Sequence, residues 1–149
     1  MTTGCVFCDG DGGERLWRDA RCRVVLTDEP FCGFCRVIWN VHVREMTDLS
    51  ERDREHLIHV VYAVESALRA RLTPTKMNLA SLGNQTPHLH WHVIPRFADD
   101  SHFPGPVWAP RQRDAVPRPL PADFVAALAG DLAAMLGAPG AGMTARASR

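Results

Sequence analysis

Residues Asn84–Arg96 read NQTPHLHWHVIPR, and three of the chain's seven histidines fall inside five of those residues. His88, His90 and His92 alternate with Leu89, Trp91 and Val93. On an extended strand successive side chains point to opposite faces, so this spacing gives one imidazole face and one apolar face. The apolar face suits packing on a core, while the imidazole face can line a site. Pro87 and Pro95 are expected to bound the strand, because proline donates nothing to a ladder. Three merely solvated strand histidines are the bland alternative, and the clustering argues against it.

Three imidazoles on one face suggest two chemistries. Neutral imidazole is a common zinc ligand. At about 3.3 Å per residue, however, the backbones of His88 and His92 stand about 13 Å apart. With zinc–nitrogen bonds of about 2.0 Å, at most an adjacent pair such as His88 and His90 shares one ion. A catalytic zinc held that way needs further ligands and an open position. The other chemistry is nucleophilic: histidine titrates near neutrality and has two distinct nitrogens, so one ring can attack while its neighbour holds anionic oxygens. The spacing favours this second reading.

His88-Leu89-His90-Trp91-His92-Val93-Ile94 resembles the His-φ-His-φ-His-φ-φ signature of the histidine triad family, with Pro95-Arg96 common after it. Residues Cys5 to about Trp108 also follow the family's order of motifs. The resemblance, to a bacterial HIT-like hydrolase or transferase, implies an α+β fold. The expected sheet is antiparallel with about five strands, accompanied by one long and one C-terminal helix. It further implies a homodimer that takes a purine nucleotide or dinucleotide and forms a nucleotidyl-histidine intermediate. On that pattern His90 attacks the α-phosphorus and His92 holds a non-bridging oxygen. Related nucleotidyltransferases carry glutamine at the third triad position, so His92 points to water as acceptor and to hydrolysis. Dinucleoside polyphosphates or nucleoside phosphoramidates are the expected substrate types. A nucleotidyltransferase, or a nucleotide-binding protein with little turnover, are the alternatives.

Composition bounds the rest. The 149 residues make one domain, and Lys+Arg 17 against Asp+Glu 17 argues against a nucleic-acid or membrane-surface binder. No apolar run reaches membrane-spanning length, and MTTGCVFCDGDGGER has no signal-like apolar core, so a cytoplasmic protein is expected. Cys5/Cys8 and Cys32/Cys35 are two Cys-x-x-Cys pairs among five cysteines, which suggests metal or free thiols over disulfides. The resemblance assigns a structural zinc to Cys5, Cys8, His42 and His88, and no organic cofactor. A four-cysteine site and an unmetallated knuckle are the alternatives, with Cys35 read as a core residue.

Strands are expected at Glu14–Arg18, Cys22–Thr27, Cys35–Trp39 and Lys76–Leu82. Apolar residues at Leu57, Val60, Val61, Val64, Ala67, Leu68 and Leu72 mark an amphipathic helix from Ser50, stopped by Thr73-Pro74-Thr75. Ser50 with Asp53 forms a cap-like start, and His56 and His59 are read as surface residues. Asp28 is the ribose candidate by resemblance, and a turn aspartate otherwise. Asn78, Gln85 and Thr86 are candidate partners for phosphate oxygens. Leu16, Trp17 and Leu26 suit either a base pocket or the core. Phe34 and Trp39 stand where many family members carry histidine and proline. His102, Phe103 and Trp108 are expected to reach over the site or across a dimer interface. Pro121–Gly137 is a second helix, so the domain runs 1–137, with 138–149 a disordered tail.

Overall fold

A computed structural model describes residues 4–140. Its elements are a helical turn α1 (Val6–Asp9), β1 (Glu14–Arg18), β2 (Cys22–Leu26), β3 (Cys35–Trp39), the long helix α2 (Glu51–Leu72), β4 (Lys76–Ala80), β5 (His90–Arg96) and α3 (Phe124–Leu136). The five strands form one antiparallel sheet in the order β1-β2-β3-β5-β4. Because α2 carries the chain from β3 to the far edge, β5 returns into the gap between them. The triad strand thereby gains a neighbour on each side.

Local chemistry explains the element ends. Asp19 closes the β1–β2 hairpin by accepting the N–H groups of Arg21 and Cys22 at 2.8 Å each. A register shift between Arg15 and Trp17 lets consecutive Leu16 and Trp17 both bury, which regular alternation forbids. Ser50 Oγ accepts the Asp53 N–H at the start of α2, and left-handed Thr73 ends it. Gly33, at φ +77°, lets the chain enter β3 tightly against α2; a Cβ there would lie 2.5 Å from Leu72 Cδ1.

The apolar face of the sheet packs under α2 and α3. Cys22, Val24, Cys35, Val37 and Val93 meet Leu57, Val60, Val64 and Leu68 of α2 and Leu128 and Leu132 of α3. Trp17 joins this core and donates its indole N–H to Gly137 O at 2.9 Å. The opposite face carries Arg23, Val25, Arg36, Ile38, His90 and His92 in cross-strand register. There α1 lays Phe7 onto Val25 and Ile38 as a small second cluster.

Some expectations need correction. The strand begins at His90, so His88 precedes it in a bend, its N–H donating to Thr86 O at 2.8 Å, while Leu89 N–H meets Val43 O at 2.7 Å. Pro95 lies inside β5, opposite Met77. Proline is tolerated there because pairing with β3 has ended at Val93. His56 is half-buried rather than a surface residue, with Nε2 2.6 Å from Asp19 Oδ2, while His59 is exposed. Cys35 faces the helices, on the side of the sheet away from Cys5 and Cys8, which removes the four-cysteine site. Of the expected tail, Gly140 donates its N–H to Arg18 O at 2.9 Å, and residues 141–149 lie outside the described residues.

Candidate active site

Above the imidazole face lies a cavity of about 600 Å³, floored by His90 and His92. Phe7, Phe31 and Phe34 wall it on one side, and the loop Leu82–Thr86 walls it on another. Trp108 reaches back over it, its ring centroid 5.3 Å from that of His92. A largely aromatic pocket with a few convergent polar groups is what a planar, charged small molecule requires.

The triad rings differ in what their second nitrogen meets. His90 Nδ1 lies 2.6 Å from His88 O, so this nitrogen carries the proton and donates, leaving the Nε2 lone pair free. His88 Nε2 lies 2.6 Å from Trp39 O, so the same reasoning makes its Nδ1 the free electron pair. His92 Nδ1 is buried with no hydrogen-bond partner. The His90 and His92 ring centroids are 4.9 Å apart and the rings nearly perpendicular. Burial pushes the pKa of His90 below the usual imidazole range, against its hydrogen bond to His88 O and together with the Arg36 charge. Burial, then His90, then Arg36 lower that of His92 to about 4. Both rings are therefore neutral at neutral pH, the state in which a ring nitrogen can attack.

Cys5, Cys8, His42 and His88 bring their four ligand atoms within 4.8 Å of one another. Cys5 Sγ and Cys8 Sγ lie 3.4 and 3.5 Å from His88 Nδ1, and Cys8 Sγ lies 3.4 Å from His42 Nδ1. A tetrahedral zinc with bonds of about 2.3 Å to sulfur and 2.05 Å to nitrogen has S···N edges of about 3.5 Å. The donor set fits a metal in type, number and spacing. The carbonyl of Trp39 acts as an orienting partner, fixing the tautomer that turns Nδ1 toward the sulfurs. Arg23 holds the knuckle in place, donating to the carbonyls of Phe7, Gly10 and Asp11 at 2.7, 3.1 and 2.9 Å.

Of the remaining candidates, Gln85 and Thr86 line the cavity. Asn78 does not; its side chain accepts from Arg96 Nη1 at 2.8 Å, farther along the sheet. Asp28 is exposed and outside the lining, which its neighbour Glu29 joins instead. Leu16 and Trp17 belong to the core, and Leu26 borders a separate cavity of about 530 Å³ that shares Glu29 and Phe31 with the first. His102 packs on Phe31, with ring centroids 5.3 Å apart. Reading the sequence missed Arg36, Glu29 and Phe31. Arg36 did leave a signal, as a lone charge within an otherwise apolar strand, but its register opposite His92 depends on topology.

A family model described as the HIT domain matches residues 13–99, more than half of the chain. No curated protein matches it. Among solved structures, a histidine triad protein from Bradyrhizobium japonicum is 25% identical with a TM-score of 0.70, covering 82% of this chain and 92% of that one. A histidine triad protein from Marinobacter aquaeolei VT8 is 27% identical with a TM-score of 0.65, over 85% of this chain and 90% of that one. A hypothetical histidine triad nucleotide-binding protein from Sulfolobus tokodaii shares the fold at 20% identity and a TM-score of 0.59, over 88% of this chain and 91% of that one. With the HIT domain matched over more than half of its length and His90 and His92 on β5 of such a sheet, this chain belongs to the histidine triad family.

Proposed function

We propose that the protein hydrolyses nucleotidyl compounds at the α-phosphorus, through a covalent intermediate on His90. The observation that carries this reading is the His90 Nδ1–His88 O hydrogen bond of 2.6 Å, which leaves a neutral ring with its Nε2 lone pair available in an aromatic cavity. In the first step Nε2 bonds to the α-phosphorus as the bond to the leaving group breaks. A phosphate leaving group departs as an anion, and a phosphoramidate amine leaves after taking a proton from solvent water, since both triad rings are neutral. Water then attacks the same phosphorus, the P–N bond breaks, and a nucleoside monophosphate leaves with His90 restored. His92 and the polar groups of Gln85 and Thr86 hold non-bridging oxygens, strengthening as charge builds on them. Phe31, Phe34 and Trp108 supply surfaces for the base. Asp28 and Asn78 serve this reading only through movement toward the cavity on binding.

Zinc held by Cys5, Cys8, His42 and His88 would be structural, with all positions filled by protein and no part in the reaction. It would tie α1 to His88, whose carbonyl holds the nucleophile. Binding a purine nucleotide or dinucleotide as a cytoplasmic homodimer completes the proposal. No helix among the described residues is long and apolar enough to cross a membrane.

Labelled water tests the reaction. With a dinucleoside polyphosphate, hydrolysis puts one labelled oxygen into the monophosphate, and His90→Ala abolishes turnover while leaving nucleotide binding largely intact. Product that forms only when a sugar phosphate or other acceptor is added would make the protein a transferase. Wild-type turnover in His90→Ala would remove the mechanism. Light scattering that gives a monomer at micromolar concentration would remove the dimer.

A further inference from the structure

Arg36 is the only arginine or lysine among the described residues lining the triad cavity. It stands opposite His92 in the β3–β5 ladder. Its guanidinium carbon lies 6.0 Å from the centre of the Phe7 ring and 5.5 Å from that of Phe34. Those two rings contact His90 and His92 respectively, at centroid distances of 4.9 and 5.5 Å. The cation is therefore clamped between aromatic faces directly beside both rings of the reaction centre.

Its hydrogen bonding is incomplete. Nη2 donates to Glu29 Oε1 at 3.0 Å and Nη1 makes a long contact to Gly12 O at 3.4 Å, but Nε is buried with no partner. On the facing strand His92 Nδ1 is also buried without a hydrogen-bond partner. Buried polar atoms without partners cost stability, and Arg36 Nε, an N–H donor on a residue that lines the cavity, marks a place that a ligand oxygen completes. The Arg36 side chain is 17% exposed and that of Glu29 is 41% exposed. Glu29 can thus return to water at little cost, since a half-exposed ion pair is weak. Arginine's planar fork, by contrast, suits two phosphate oxygens at once.

The charge balance selects a ligand. Arg36 and Glu29 cancel, so the empty lining has little field of its own. A single phosphate held by His90, His92 and the loop needs no further cation, whereas a chain of phosphates does. We infer that Arg36 exchanges Glu29 for the phosphates beyond the one His90 attacks, so that the site selects nucleotides bearing a polyphosphate over those with a single phosphate. This rests on the nucleotide reading of the cavity and deepens it.

The test is calorimetric binding of two ligands, adenosine monophosphate and an uncleavable methylene-bridged diadenosine tetraphosphate, to the full chain. Wild type should prefer the tetraphosphate. Arg36→Leu should weaken the tetraphosphate on the order of 30-fold and the monophosphate less than about 3-fold, the scale of a lost charge-assisted hydrogen bond. Arg36→Lys should recover part of the preference, and Glu29→Gln should increase it by freeing the guanidinium. Thermal melting and zinc content report whether each variant folds; if Arg36→Leu does not, the Arg36→Lys and Glu29→Gln ratios decide. Equal losses for both ligands would make Arg36 a structural clasp for the Gly12 loop and overturn the inference, as would an unchanged ratio or a wild type without preference. The covalent step is read separately by His90→Ala, whose failure leaves this binding ratio standing.

Discussion

Acid should destabilise this protein through His92, by an amount the structure allows to be worked out. Burial, then His90, then Arg36 bring its pKa from the reference 6.5 to about 4. The folded-state pKa is depressed, so below about pH 6.5 the unfolded chain binds a proton that the folded chain refuses. Stability from this residue is complete above the unfolded pKa and is lost as pH falls through the folded value. At pH 4 the difference amounts to about 3 kcal/mol, at about 1.4 kcal/mol per unit. That is a large share of a typical domain's stability. Urea unfolding of wild type and His92→Gln, both stripped of metal by chelator, measures it between pH 7 and pH 4. Other titrating groups act on both proteins and drop out of the comparison. Glutamine does not titrate, so the variant should lose about 3 kcal/mol less over this range. Parallel pH profiles for the two proteins would refute the reasoning.

His42→Ala and Cys8→Ser should each drop zinc well below one per chain by elemental analysis, whereas Cys32→Ser should leave it unchanged, since Cys32 stands apart from the cluster. Arg96→Met should cost about 3–5 kcal/mol in denaturant unfolding, because it leaves Asp100 and Asn78 facing an apolar side chain; Arg96 is 1% exposed and binds both residues and Gly105 O. Burial raises the pKa of Asp100, but its bonds to Arg96 and to the His102 and Phe97 N–H groups outweigh this and hold it at about 2. The same substitution should therefore move it upward by NMR titration.

Much of this arrangement is readable in the sequence because it rests on local periodicity. The helix from Ser50 shows itself by its 3–4 spacing, and the strands by their length and apolar content. The HIT resemblance adds the knuckle, whose members at Cys5, Cys8, His42 and His88 are otherwise scattered over more than eighty residues. What the sequence hides is set by tertiary register. Nothing local says that Arg36 lies opposite His92, or that Asn78 is tied to Arg96 away from the cavity. The place of Pro95 inside the strand depends on β3 ending two residues earlier, which is a property of the neighbouring strand. His56 looked like a surface residue because its partner, Asp19, comes from a distant hairpin.

The triad itself shows how three identical residues acquire different chemistry. Alternation alone would make His88, His90 and His92 equivalent, yet two of them hydrogen-bond different carbonyls and the third meets none. Trp39 O accepts the hydrogen bond from His88 Nε2–H and turns the opposite nitrogen toward two thiols, the arrangement of a ligand. The carbonyl of His88 accepts the hydrogen bond from His90 Nδ1–H and leaves the opposite nitrogen of His90 free, the arrangement of a nucleophile. His92 Nδ1 finds no partner, and burial, then His90 and Arg36 beside it, make a proton unfavourable there, so it is suited to share an oxygen rather than to carry charge. The roles therefore follow the backbone carbonyls and not the imidazoles. Substituting Trp39 would leave its carbonyl in place, whereas a shift of β3 against the His88 segment would disturb the ligand and the nucleophile together, because one strand end orients His88 and His88 orients His90.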